Sequence, residues 1–141
     1  MMITRSITAL MALALLVAAC ANPAAEAPTG SQVVAELADN KITVNIPSVK
    51  AGTTKIGVRN VGTMEHSFVV LKTDLPPDKL PVDGASAKAK EDGKVGEILS
   101  IPAGKSAALT VALTPGKYVF ICNIAGHYQL GMHTGFMVDA P

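Results

Sequence analysis

Short runs of β-branched and aromatic residues, separated by glycine, proline and Asx turns, recur from residue 32 to the end of the chain. Along several of these runs apolar and polar residues alternate, which is typical of half-buried strands. The pattern predicts eight strands, at 33–38, 41–47, 54–60, 66–72, 96–101, 106–113, 117–122 and 135–140. Many short strands at this spacing favour an all-β fold, an antiparallel sandwich or barrel.

The interval 74–95 breaks this rhythm, because it is polar and begins with several prolines. Residues 85–92 within it, ASAKAKED, predict one short exposed helix. We expect the interval to be an excursion across the outside of the sandwich, with its charges facing solvent.

The first 19 residues have the features of a secretory signal peptide. Arg5 precedes an apolar run from Ile7 to Ala19, which is shorter than the roughly 20 residues of a membrane span. The ending LVAAC at 16–20 resembles the lipobox of bacterial lipoproteins, which implies cleavage before Cys20 and a lipid on that cysteine. The alternative is a plain signal peptide with an incidental cysteine.

Residues 20–31 are mostly small and include two prolines, so they predict a lipidated N-terminus followed by a flexible linker. Residues 32–141 suit one domain with one core. Of the 12 basic residues only Arg5 falls in the signal, so the mature chain carries 11 basic and 11 acidic residues. With neither a basic patch nor a charge run, we expect no binding to nucleic acid, and membrane attachment through the lipid alone.

The two cysteines have different expected fates. If Cys20 carries a lipid, Cys122 is an unpaired thiol in an oxidising compartment, where it would be vulnerable unless something occupied it. A Cys20–Cys122 disulfide is the competing interpretation. It would tie a mobile tail to a core loop and would leave the spacing of nearby histidine and methionine residues unexplained.

Cys122, His127 and Met132 follow one another at intervals of five residues, and His66 lies far upstream at the start of a predicted strand. A thiolate, two imidazoles and a thioether form the donor set of mononuclear copper sites that transfer electrons. Cys122 closes the strand 117–122, so its sulfur is expected at one end of the sandwich, near the core. The pattern predicts a site for one copper ion.

This ligand pattern resembles the cupredoxins, the single-copper blue proteins, over about residues 32–141. The spacing is closest to the rusticyanin, auracyanin and sulfocyanin kind. The resemblance implies a Greek-key β-sandwich in which His66, Cys122, His127 and Met132 hold one copper that cycles between Cu(I) and Cu(II). Many cupredoxins have asparagine after the first histidine ligand. Here the residue is Ser67, and we hypothesise that it raises the reduction potential.

The expected function is single-electron transfer by a membrane-tethered, exported monomer on the periplasmic or extracytoplasmic face of a membrane. Partners would be redox proteins such as cytochromes or a membrane oxidase or reductase. The His127 ring edge is expected near solvent, and an apolar docking patch is expected around it, formed by Ile124, Ala125, Tyr128 and Leu130.

Two other functions are weaker interpretations. A copper enzyme built on this fold needs further copper sites, and three histidines in total, two of them already ligands, cannot supply one. We therefore expect no enzymatic activity. A copper-delivery or resistance protein usually has methionine-rich tracts, paired cysteines or exposed His-Met clusters, and the sequence contains none of these.

Overall fold

The computed structural model describes residues 25–141, and in them it contains eleven strands and no helix. The strands are β1 (Val33–Ala38), β2 (Lys41–Val44), β3 (Ser48–Lys50), β4 (Gly52–Asn60), β5 (His66–Lys72), β6 (Val82–Asp83), β7 (Lys88–Ala89), β8 (Lys94–Ile101), β9 (Ser106–Leu113), β10 (Gly116–Ile121) and β11 (His133–Asp139). The all-β prediction is confirmed. Each of the eight predicted strands corresponds to an observed one, although the second ends at Val44.

The strands of the described residues form two facing sheets and a separate hairpin. The first sheet has the order β2-β1-β4-β9, the second has the order β3-β11-β10-β5-β8, and β6 pairs with β7. Two pairs are parallel, β1 with β4 and β3 with β11, so the sandwich is mixed rather than wholly antiparallel. The cause is that the chain leaves the first sheet after β2, adds the short β3 to the second, and returns as β4 in the direction of β1.

The interior between the sheets is mainly aliphatic, with three phenylalanines at its centre. The alternation in β1 places Val33, Ala35 and Leu37 wholly in this core. Phe120 stacks on Phe136, with ring centroids 4.9 Å apart, and lies 5.2 Å from Phe68.

The predicted helix at 85–92 is wrong, because this part of the chain forms the β6–β7 hairpin and the segment that follows it. Asp83 Oδ1 accepts a hydrogen bond from the Ala85 amide (2.9 Å) and so closes an Asx turn. Such a turn gives the backbone a hydrogen-bonding alternative to a helix. Ala87 has a φ of 53°, outside the helical region. Ala89 is buried at the end of the hairpin, so this part of the excursion is not a solvated face.

The excursion instead covers the outer face of the second sheet. A second group of buried apolar side chains forms there, with members from the excursion, from β5 and β10, and from the segment after β10. The group contains Val69, Leu71, Leu80, Ala89, Val119, Ile121 and Tyr128. This cover explains why six of the seven residues of β5 are buried, whereas a sheet with one solvated face would show strict alternation.

Residues 25–31, the described part of the predicted linker, lie against β4. The Arg59 guanidinium donates to the Ala25 carbonyl, and Lys55 Nζ donates to the Thr29 carbonyl at 2.7 Å. Gly57 leaves room for Ser31, whose Oγ would lie 2.3 Å from a Cβ at that position. The packed part of the chain therefore begins by Ala25. The predicted signal peptide and Cys20 lie outside the described residues, and no helix within 25–141 is long and apolar enough to cross a membrane.

Candidate metal centre

Three of the four predicted ligands present their donor atoms to one another. His66 Nδ1 lies 3.2 Å from His127 Nδ1, and Cys122 Sγ lies 3.8 Å from the first nitrogen and 3.5 Å from the second. Among the described residues, these three form the one cluster of histidine, cysteine or acidic side chains that could hold a metal ion. Cys122 and His66 are buried, and His127 is half-buried.

The size of this triangle fits a metal ion. From the three distances, the circle through the donor atoms has a radius of about 2.0 Å. Zinc sites show metal–nitrogen bonds of roughly 2.0–2.1 Å and metal–sulfur bonds of about 2.3 Å. Cys122 is a free, buried thiol in the described part of the chain, so it can ligate a metal. Two imidazoles and one thiolate in this arrangement match a type 1 copper site.

The sheet order brings the ligands together from distant parts of the chain. His66 is the first residue of β5, and Cys122 directly follows the last residue of β10. These strands are antiparallel neighbours, with Ile121 opposite Val69, so both ligands emerge at the same end of the second sheet. His127 follows on the loop after Cys122. Gly126, the residue before it, has a φ of 82°, a conformation that residues other than glycine rarely adopt.

Met132, the fourth predicted ligand, is completely buried at the end of the same loop. Its amide donates to the His127 carbonyl at 3.2 Å, and its own carbonyl accepts from the Cys122 amide at 3.0 Å. Met132 and Cys122 belong to the same core cluster. These hydrogen bonds close the loop between β10 and β11 and place the thioether residue beside the cysteine. The role of Met132 as an axial ligand remains a prediction.

Ser67 connects the two segments that carry the ligands. Its amide donates to Cys122 Sγ at 3.3 Å, and its hydroxyl oxygen lies 3.7 Å from the same sulfur. The hydroxyl also accepts the Asn123 amide at 2.9 Å. Hydrogen bonds to a ligating sulfur are one of the means by which a protein tunes the potential of a copper site.

Asp39 contacts the far side of the His66 ring, although no pattern in the sequence marks it as part of the site. Its Oδ1 lies 3.2 Å from His66 Nε2. Hydrogen bonds from the Thr63 side chain and from the amides of Thr63 and Met64 outweigh desolvation and lower the pKa of Asp39 to about 2. For His66, burial lowers the pKa and outweighs the opposing effect of Asp39. In the sequence Asp39 is only one half of an Asp-Asn turn between two strands, so nothing local reveals the contact.

The β6–β7 hairpin holds the ligand loop, a second contact that the sequence did not reveal. The Asn123 side chain accepts from the Ala89 amide (2.8 Å), donates to the Ala89 carbonyl (2.9 Å), and donates to Glu91 (2.8 Å). The Gly126 amide donates to the Ala87 carbonyl at 2.8 Å. Together these bonds fix two residues of the turn that connects Cys122 to His127, one next to each predicted ligand.

The surface near His127 differs in one respect from the predicted patch. Leu130 is 64% exposed, Ala125 is exposed and Ile124 is half-buried. Tyr128, by contrast, is only 4% exposed, so its inclusion in the patch is wrong. Its hydroxyl donates to the Pro77 carbonyl and accepts from the Leu80 amide, both at 2.8 Å, which turns the ring toward the excursion.

His133, the third histidine, does not belong to the donor cluster. It begins β11, paired with Ile121, and its ring lies against Tyr128 with centroids 5.2 Å apart. His133 is thus the one histidine of the chain that lies outside the donor cluster.

Comparison with known proteins gives one family and several solved structures. An auracyanin from Roseiflexus castenholzii is 23% identical, with a TM-score of 0.55, and the match covers 75% of this chain and 94% of the auracyanin. A rusticyanin from Thiobacillus ferrooxidans is 21% identical, with a TM-score of 0.56, and the match covers 76% of this chain and 75% of that one. At these identities the likeness establishes a common fold. No curated protein sequence matches. The model of the cupredoxin-like domain matches residues 7–134, nearly the whole chain, and the chain therefore belongs to the cupredoxin-like domain family.

Proposed function

We propose that this protein is a mononuclear blue-copper electron carrier. His66, Cys122, His127 and Met132 would hold a single copper ion, which supplies the Cu(II)/Cu(I) couple. The observation that carries the proposal is the triangle of two imidazole nitrogens and one buried, free thiol, with a radius of about 2.0 Å. A solved rusticyanin described as a copper protein supports the choice of metal, since it has the same fold.

The surroundings of the ligands suit electron transfer because they restrict movement. His66 and Met132 are completely buried, and the loop from Cys122 to Met132 is closed by hydrogen bonds at both ends. Ser67 ties this loop to β5. Cu(I) and Cu(II) favour different geometries, so ligands that cannot rearrange keep the reorganisation cost of each transfer low.

His127 is the proposed route for electrons to and from the surface. It is the more exposed of the two imidazole ligands, and the exposed Leu130 and Ala125 lie on the same loop. A small apolar patch suits the brief encounters of redox proteins, which bury little surface. The proposed partner is another redox protein, such as a cytochrome or a membrane oxidase or reductase, with this chain acting as a monomer.

The proposed location is outside the cytoplasm, with a lipid on Cys20 anchoring the protein to a membrane. Support comes from the signal-like first 19 residues and the LVAAC ending at 16–20. Intact mass measurement of the mature protein tests this proposal. A diacylated or triacylated N-terminal Cys20 is expected, whereas an unmodified N-terminus elsewhere would contradict the anchor.

The histidine inventory argues for a carrier rather than a copper enzyme. The chain has three histidines, two of them in the donor triangle and the third, His133, against Tyr128. Within residues 25–141 there is no second cluster of histidine, cysteine or acidic side chains for the additional copper site that a catalytic cupredoxin needs.

Metal retention separates electron transfer from copper delivery. The copper-loaded protein is cycled between ascorbate and ferricyanide in the presence of a strong Cu(I) chelator, and bound copper is measured after each cycle. An electron carrier should keep its metal through many cycles, and His133→Ala should behave like wild type. Loss of copper to the chelator in the first cycles would favour a delivery protein and contradict the proposal.

A further inference from the structure

The side of His66 that faces away from the donor triangle contacts a carboxylate. Nδ1 belongs to the triangle, and Nε2 lies 3.2 Å from Asp39 Oδ1. The His66 side chain is fully buried, whereas Asp39 is about one-third exposed. Since His66 is shielded from solvent, Asp39 is the hydrogen-bond partner available to Nε2.

The protonation of an imidazole decides which nitrogen can bind a metal. A neutral ring has one N–H and one lone pair, so His66 can ligate through Nδ1 only when its proton is on Nε2. An ionised carboxylate only accepts hydrogen bonds, and it therefore favours the tautomer with the proton on Nε2. Asp39 thus selects the ring form that leaves Nδ1 free.

The Asp39 carboxylate is itself held in place from the loop before β5. Oδ1 accepts from the Thr63 amide at 2.8 Å and from the Met64 amide at 3.2 Å, and Oδ2 accepts from the Thr63 hydroxyl at 2.7 Å. Gly62 allows this approach, because a Cβ there would lie 2.2 Å from Oδ1. A carboxylate with this many fixed donors keeps its position against the ring.

We propose that Asp39 is a positioning residue of the metal centre. It fixes the Nε2–H tautomer and the orientation of His66 before metal binds. Its negative charge, placed behind a ligand, also favours the cupric over the cuprous state. The second part rests on the proposed copper function, but the first concerns the metal-free protein alone. Carboxylate–histidine–metal arrangements of this kind commonly contribute ten- to hundredfold to metal affinity.

Two substitutions separate the hydrogen bond from the charge. Asp39→Asn keeps an oxygen that can accept from Nε2 but removes the negative charge, whereas Asp39→Ala removes both. Glu65→Gln is the matched control, because it removes one negative charge at the residue before His66, from a carboxylate that accepts its hydrogen bond from Ser100 Oγ and not from the imidazole.

The first measurement uses metal-free protein, so it is independent of copper. Long-range ¹H–¹⁵N correlation spectra report the tautomer of each histidine. Wild type, Asp39→Asn and the Glu65→Gln control should show His66 protonated on Nε2, and Asp39→Ala should show a mixture of tautomers. Wild-type His66 protonated on Nδ1, or an Asp39→Ala spectrum with the wild-type tautomer, would overturn the positioning role.

The second measurement compares the copper-loaded proteins. We expect Cu(II) affinity to fall ten- to hundredfold in Asp39→Ala, and the midpoint potential to rise in Asp39→Asn but not in Glu65→Gln. An unchanged midpoint potential in Asp39→Asn would overturn the claim that the Asp39 charge favours Cu(II). This comparison does not need Asp39→Ala, so it still decides the claim if that variant does not fold. If wild type itself gives no copper band, the proposed function fails, while the tautomer spectra still decide the role of Asp39.

Discussion

The hydrogen bonds between the β6–β7 hairpin and the ligand loop give a stability prediction that can be worked out from the structure. Asn123→Ala removes the acceptor of the Ala89 amide, the donor to the Ala89 carbonyl and the donor to Glu91. Ala89 is only 4% exposed, so both of its backbone groups lose their side-chain partner in a buried position.

The size of the effect follows from those two groups. An unsatisfied buried backbone group costs about 1–3 kcal/mol. The bond to the partly exposed Glu91 contributes roughly 0.5–1.5 kcal/mol more. Allowing for a water molecule that replaces part of the lost bonding, Asn123→Ala should lower the free energy of unfolding by about 2–4 kcal/mol.

Urea denaturation of the metal-free protein, followed by circular dichroism, measures this free energy directly. Asn45→Ala is the matched control, since Asn45 is exposed and its side chain accepts one hydrogen bond, from the Val34 amide at 2.7 Å. The control should cost less than about 1 kcal/mol. If Asn123→Ala cost no more than Asn45→Ala, the hairpin would not hold the ligand loop.

Three other substitutions test separate parts of the account. Ser67→Asn should lower the midpoint potential, measured by voltammetry, because it replaces the hydroxyl near the sulfur; an unchanged midpoint would remove that hypothesis. Leu130→Glu should slow electron exchange with partner proteins in stopped-flow kinetics and leave the copper spectrum intact, whereas unchanged kinetics would mean the patch is misplaced. For Glu91, burial raises the pKa, but hydrogen bonds from Lys94 and Asn123 outweigh it and hold the pKa below 4.5. The stabilisation by Glu91 is therefore present above pH 4.5 and lost as the pH falls through the lowered value. The stability deficit of Glu91→Gln at neutral pH should disappear in acid, and a deficit that persists there would contradict this assignment.

The strands could be predicted because each one is encoded by its own segment. The ligand set could be predicted because its residues, although each is a weak signal alone, form a specific pattern together. Alternation along β1 and the turn residues between strands reflect burial on one face, which each segment encodes by itself. Cysteine, histidine and methionine at fixed intervals are weak signals singly. Together with an upstream histidine in a β-rich chain, they indicate a copper site.

The errors and omissions concern contacts between distant segments. Residues 85–92 contain good helix formers, but Ala89 is buried against β5 and β10, so tertiary packing overrides local propensity. Asp39 and His66 are 27 residues apart, and Asn123 and Ala89 are 34 apart. No periodicity encodes such pairs. The same limitation applies to the parallel pairing of β1 with β4, which depends on where the chain changes sheets.

The visible absorption spectrum of the oxidised protein loaded with one equivalent of copper is the most decisive test of the proposed copper centre. A Cys122 thiolate bound to Cu(II) between two imidazoles should give an intense blue or green sulfur-to-copper band. The band should disappear in Cys122→Ser and persist in His133→Ala, and the bound thiol should resist alkylation. A colourless wild-type protein, or a Cys122 that is freely alkylated after copper loading, would contradict a copper centre ligated by Cys122.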